Sequence, residues 1–196
     1  MMPAMLAMPG HWDDGEIAPG LLLRCQAGEP AALRAFVDCY QRAVFALLSR
    51  IIGRHSEVED LAQETFLRAI RALPAFDADG AARLSTWLLT IATRLALDAC
   101  RKRTREQRSS LAAEPVSAST PEHEAQRSQL RNAITSAIDE LPSDQRAAFV
   151  LAEFHGFAVE DIATALQTRK STVKTRLFRA RAKLARALAQ HRGEAE

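Results

Sequence analysis

The chain has 196 residues, with 26 Lys and Arg against 24 Asp and Glu, eight glycines and one tyrosine. That length holds one large or two small domains, and scarce Tyr and Gly beside abundant Ala, Leu and Arg predict an all-α fold. Three widely spaced cysteines (Cys25, Cys39, Cys100) form no CxxC pair, which speaks against a zinc site or a disulfide framework and leaves them as small buried hydrophobes.

The opening stretch, MMPAMLAMPG, lacks a basic n-region and is interrupted by Pro3 and Pro9, so it does not read as a signal peptide. No apolar run is long enough to cross a bilayer. A soluble, cytoplasmic protein without membrane insertion is expected. Residues 1–16 read as disordered. A short helix follows from Pro19 to Ala27, stopped by Gly28. Pro30 opens the next helix, where Leu33, Phe36, Val37, Tyr40, Val44, Leu47, Leu48 and Ile51 form an apolar stripe ending at Gly53. Ser56 with Glu59 is a capping box that starts a helix to Ala72. That helix turns Val58, Leu61, Ala62, Phe66, Ala69 and Ile70 inward. Its other side shows Asp60, Gln63, Glu64 and Leu67.

Pro74–Leu84 reads as a loop. Ser85 is expected to cap a helix from Thr86 to about Arg103. Leu88, Ile91, Ala92, Leu95 and Ala99 face inward, while Trp87, Thr90, Arg94, Asp98 and Arg101 line the opposite side. Trp87 fits core packing equally well. The cluster RKRTREQR (Arg101–Arg108) carries five cations and one acid; it suits a polyanion and also simply complements a helix dipole. Residues 109–124, rich in Ser, Ala and Pro, read as an interdomain linker.

Four more helices are expected: about Pro121–Asp139, Pro142–His155, Val159–Leu166 and Arg169–Gln190. Gly156 separates the second from the third, and His155 reads as a helix C-terminal residue. In the last helix Val173, Leu177, Ala180, Leu184 and Leu188 make one narrow apolar stripe. The stretch Thr168–Leu188 also holds eight cations and no acid, which leaves the remainder of the chain net acidic. A short helix, a tight turn with Thr168 able to cap, and a long basic helix form the helix-turn-helix pattern. A packing hairpin with a solvated basic face has the same pattern. The expected organisation is two small helical domains, 17–105 and 125–190, on a flexible tether at 106–124.

The motifs together carry a family likeness. DLAQETFLRAIRALPAF (Asp60–Phe76) followed by STWLLTIATRLALDACRKR (Ser85–Arg103) resembles region 2 of bacterial sigma factors. LPSDQRAAFVLAEFHGFAVEDIATAL continuing into STVKTRLFRARAKL resembles region 4. The two-domain form is similar to the extracytoplasmic-function (ECF) group, over nearly everything from Pro19 to Leu188. The resemblance implies a specificity subunit of RNA polymerase, not an enzyme, and no cofactor. It implies docking of Asp60, Gln63, Glu64 and Leu67 on the β′ clamp of core polymerase, with region 4 on the β flap. It assigns Trp87, Thr90, Arg94 and Arg101 to the promoter −10 element, where an unstacked base is captured. It assigns Arg169, Lys170, Ser171, Lys174, Thr175, Phe178 and Arg179 to the −35 element. Lys174, Thr175, Phe178 and Arg179 would approach base edges, while Arg169, Lys170 and Arg176 would hold phosphates. An anti-sigma partner and a monomeric state are further implications.

Departures from the family pattern are specific. Arg94 stands where many members have Asn, and the loop Phe76–Trp87 is slightly long. Thr168-Arg169-Lys170-Ser171 replaces a Val-Pro-x-Gly type of turn, and Ala152 replaces a basic residue found in some relatives. A decoy that only titrates an anti-sigma protein is the rival reading, but it has no reason to keep basic islands on both DNA faces. A plain helix-turn-helix repressor leaves Asp60–Ala72 unexplained. The five histidines (His11, His55, His123, His155, His191) have no ligand spacing, and no catalytic or metal site stands out.

Overall fold

The computed structural model describes residues 16–53, 56–80, 82–109 and 134–193. The disorder expected for 1–16 lies outside these residues except at Glu16, as does most of the expected linker. In chain order the helices are α1 (Pro19–Gln26), α2 (Pro30–Ile52), α3 (Glu57–Ala72), a 3-10 turn (Leu73–Ala75), α4 (Leu84–Ser109), α5 (residues 134–139), α6 (Ser143–His155), α7 (Val159–Ala165) and α8 (Lys170–Gly193). The fold is all-α, as expected, and no strand occurs among the described residues.

Local chemistry sets the boundaries. Pro19 and Pro30 open α1 and α2, where the missing N–H costs nothing. α1 ends in a Schellman turn: Gly28 has φ +77°, and the amides of Gly28 and Glu29 donate to the carbonyls of Cys25 and Arg24 at 3.0 and 3.1 Å. The capping box expected at Ser56 does not form, since that side chain makes no capping bond. Glu57, Glu59 and Asp60 in the first turn of α3 complement its dipole instead. α4 begins at Leu84, two residues before the expected Thr86, so Ser85 lies within the helix rather than at its cap. It also continues to Ser109, four residues into the span 106–124.

The core runs through both halves of the chain. α2 supplies Phe36, Val44, Leu47, Leu48 and Ile51, all fully buried. The Phe36 ring meets Tyr40 and Phe66 edge-on, with centroids 5.3 and 6.0 Å away. Ala147, Val150, Leu151, Ile162 and Val173 from α6–α8 join the same cluster. A smaller cluster unites Ala137, Ile138, Leu141, Phe149, Ala180 and Leu184.

The two helical units expected on either side of the linker pack together in this structure. The reason is a wider buried face on α4. Leu88, Ala92 and Leu95 are buried as expected, but so are Leu89, Thr93, Ala96 and Leu97; α4 packs against α2 and α3 and also against α6 and α7. Polar contacts finish the seam. The Arg50 guanidinium lies 4.5 Å from the Phe154 ring centroid. Arg146 of α6 donates to the Ile51 carbonyl at the end of α2 (3.2 Å) and to Leu141 (3.0 Å).

Candidate polymerase and nucleic-acid interface

α3 presents one polar face with an apolar centre. Positions 60, 63, 64 and 67 follow helical spacing, so Asp60, Gln63, Glu64 and Leu67 share one side. Leu67 is 49% exposed, and Glu64 accepts an ion pair from Arg68 at 2.6 Å. Because the opposite side carries the buried Val58, Ala62, Phe66 and Ala69, this face is turned away from the core.

The second surface is the start of α4 with the loop before it. The loop is built on Asp77, whose Oδ1 accepts from the Asp79 amide (3.0 Å) and whose carbonyl accepts from Gly80 (3.3 Å). Trp87 is half-buried and leans on Phe76, ring centroids 5.1 Å apart at 50°. It therefore packs on the margin of the core rather than standing free. The Thr90 hydroxyl donates to the Thr86 carbonyl at 2.8 Å. Arg101 pairs with Asp98 at 2.9 Å and stays exposed. Arg94 does something its sequence position does not announce: it donates to the carbonyls of Thr164 (3.0 Å) and Ala165 (3.4 Å), at the C-terminus of α7. These are last-turn carbonyls of α7, of which Thr164 also accepts from the Gln167 amide at 3.3 Å, so Arg94 helps cap a helix of the other half.

Sequence reasoning missed two side chains here. The Glu16 carboxylate accepts from the Leu84 amide (3.1 Å), the Ser85 amide (3.3 Å) and the Ser85 hydroxyl (2.6 Å). The Gln26 amide donates to the carbonyls of Leu73 (3.2 Å) and Phe76 (2.7 Å). Both contacts join residues 47 or more positions apart, and no local signal in the sequence announces them.

The third surface is α8. Val173, Leu177, Ala180 and Leu184 are buried, as the stripe predicts; the side chain of Leu188 lies outside the description. The preceding turn forms with Gln167 in the left-handed region, φ +50°, while the Thr168 amide donates to Ala163 at 2.9 Å. A backbone Schellman bond, not the expected Thr168 hydroxyl cap, shapes this turn. The cations of the helix divide into two sets. Arg176 meets Asp144 (2.6 Å), Arg181 meets Glu153 (2.6 Å), Lys183 meets Glu140 (3.3 Å) and Lys170 meets Glu160 (2.8 Å). The Lys170 ammonium holds the Glu160 carboxyl below its usual range. Among the described residues no carboxylate lies within ion-pair distance of Arg169, Lys174, Arg179 or Arg186. Arg176, expected to hold a phosphate, is thus tied to α6 and half-buried there. Phe178 is 74% exposed between Lys174 and Arg179, with Ser171 and Thr175 on the same open side.

No cluster of three or more potential metal ligands occurs among the described residues, and no described helix is long and apolar enough to cross a membrane. His155 is the last residue of α6, as expected, and is mostly buried. Burial and the Arg50 charge push its pKa down to about 4, overriding the raise that a helix C-terminus would give.

Comparison with known proteins matches two stretches of the chain. Residues 36–106 match the family described as Sigma-70 region 2, and residues 131–184 that described as Sigma-70, region 4. The RNA polymerase sigma-H factor of Pseudomonas aeruginosa is 35% identical over 179 residues, covering 86% of this chain and 92% of that protein. The ECF RNA polymerase sigma-E factor of Haemophilus influenzae is 32% identical, covering 82% and 89%. Among solved structures, the sigma factor RpoE in complex with the anti-sigma factor NepR from Bartonella quintana superposes with a TM-score of 0.66 at 28% identity, over 80% of this chain and 96% of that one.

Proposed function

The chain belongs to the ECF group of RNA polymerase sigma factors, and we propose how its surfaces divide the work of binding core RNA polymerase and directing promoter-specific initiation. The exposed face of α3 docks on the β′ clamp through Asp60, Gln63, Glu64 and Leu67, an apolar contact inside a polar rim. The region 4 half engages the β flap. The Asp77 loop and the first turns of α4 hold the opened −10 strand, with Trp87 and Phe76 as the stacking platform. Thr90, Arg94 and Arg101 line the same helix. The open side of α8 enters the major groove at −35. Lys174, Thr175, Phe178 and Arg179 meet base edges there; Arg169 and Ser171 hold the backbone, and Lys170 joins them on exchanging Glu160 for a phosphate. The working units are 17–105 and 125–190. The protein acts in the cytoplasm as a monomer, has no catalysis of its own, and is held in check by an anti-sigma protein.

The observation that carries this reading is the division of charge on α8. Among the eight cations from Arg169 to Arg186, four are neutralised by acids of neighbouring elements, and the four with no ion-pair partner among the described residues include Lys174 and Arg179, which flank the exposed Phe178. A merely solvated basic face would not need such sorting. The docking half is tested by pull-down: Glu64→Lys with Leu67→Ala should weaken capture by core polymerase at unchanged helicity. Unchanged capture would move the docking surface elsewhere.

A further inference from the structure

We propose that Glu16 and Gln26 are positioning residues for the −10 loop, holding its two ends from the N-terminal segment. The inference rests on the assignment of that loop under the proposed function and adds to it two residues that lie before the matched region 2 stretch, which begins at residue 36.

The geometry is a bracket. Between Phe76 and Leu84 the internal hydrogen bonds found among the described residues are the two to Asp77. What fixes the loop to the rest of the protein lies at its ends. At the near end, Gln26 gives both amide protons to carbonyls, Leu73 and Phe76. Phe76 then packs on Trp87. At the far end, Glu16 takes three donors from Leu84 and Ser85. Two of these are first-turn amides of α4, which no residue of the helix itself can satisfy. A carboxylate in that place makes charge-assisted bonds and sits favourably against the helix dipole. Tyr40 completes the anchorage: its hydroxyl accepts from the Ile17 amide at 3.4 Å and reaches Glu16 at 3.5 Å.

A loop that captures an unstacked base binds better if its shape exists before the strand arrives, because ordering it on contact costs free energy. The bracket supplies that order from outside the loop and leaves its exposed residues, 77–80, clear for the strand. It also spends the Glu16 charge on protein donors close to where phosphates would pass.

The test uses the full chain with core polymerase and a promoter carrying 2-aminopurine in the non-template −10 strand, whose fluorescence reports unstacking. Glu16→Ala and Gln26→Ala should each lower opening by roughly threefold to tenfold. Glu16→Gln, which keeps an acceptor oxygen but loses the charge, should fall between. Core-polymerase affinity and −35 duplex binding should stay within about twofold of wild type. Trp87→Ala separates the two layers of the argument. If it impairs opening while both bracket variants open normally, the bracket is wrong and the loop assignment stands. If Trp87→Ala opens normally, the loop assignment fails and the bracket with it. A parallel loss of core and −35 binding in the bracket variants would make them general stabilisers and overturn their positioning role.

Discussion

Arg176 and Arg179 are three positions apart on α8 yet meet different surroundings. Arg176 is half-buried against Asp144, so its loss removes both that ion pair and the packing of its stem. Arg176→Ala should cost about 1 kcal/mol and lower the melting temperature by a few degrees. Arg179 is exposed and has no ion-pair partner among the described residues, and Arg179→Ala should shift stability by less than about 0.5 kcal/mol. Differential scanning fluorimetry separates them, and equal shifts would contradict the division of charge. His155 gives a pH signature. Its folded pKa of about 4 lies below the ordinary 6.5, so the unfolded chain takes up a proton first as pH falls. The stability it permits is complete above about pH 6.5 and is lost progressively toward pH 4. Between pH 7 and 5 this should amount to about 1–2 kcal/mol, and His155→Gln should flatten that part of the profile in urea melts. An unaltered slope would mean that the imidazole is not buried neutral.

At the scale of elements, the turn between α7 and α8 holds Gln167 at φ +50°, a region that costs an L-residue about 1 kcal/mol. Gln167→Gly should raise the melting temperature by a few degrees without changing promoter preference. A fall would mean that the Gln side chain contributes more than its backbone costs. This turn shows what the sequence could and could not disclose. The helices were legible because Pro19, Pro30, Gly28, Gly53 and Gly156 punctuate periodic stripes, and the α8 stripe was legible residue by residue. The sorting of α8 cations was half visible: Arg176 and Lys183 flank the buried Val173 and Ala180 at helical spacing, and so face neighbouring helices. The α4 cap was not visible, because a Ser at the expected position reads as a cap while the actual acceptor is Glu16, 68 and 69 residues away. Nor was the wider buried face of α4, where Leu89, Ala96 and Leu97 are buried in a helix that packs against α2, α3, α6 and α7. Local patterns record a helix's own period, whereas these features depend on which element arrives from a distance.

At the scale of the whole molecule, the packed arrangement and the proposed task set a distance problem. The −35 and −10 elements are about 25 base pairs apart by their names, or roughly 85 Å of duplex. α4, the longest described helix, has 26 residues and spans only ~39 Å. α7 packs on α4 and α8 on α7, so the two reading surfaces cannot lie 85 Å apart while Arg94 caps α7 and Arg146 caps α2. The chain between Ser109 and residue 134 is long enough to allow a gap of that order when extended. Energy transfer between dyes on α3 and α8 should therefore fall sharply when core polymerase and promoter are both present, and an unchanged signal would contradict engagement of both elements by one chain. The division of labour itself is tested most directly by transcription from a promoter library randomised across both elements, with core polymerase and either wild-type protein, Arg179→Ala or Trp87→Ala. The account predicts two blocks of preferred sequence at fixed spacing, with Arg179→Ala erasing preference in the upstream block and Trp87→Ala in the downstream block. A single block, or both substitutions acting on the same block, would contradict it.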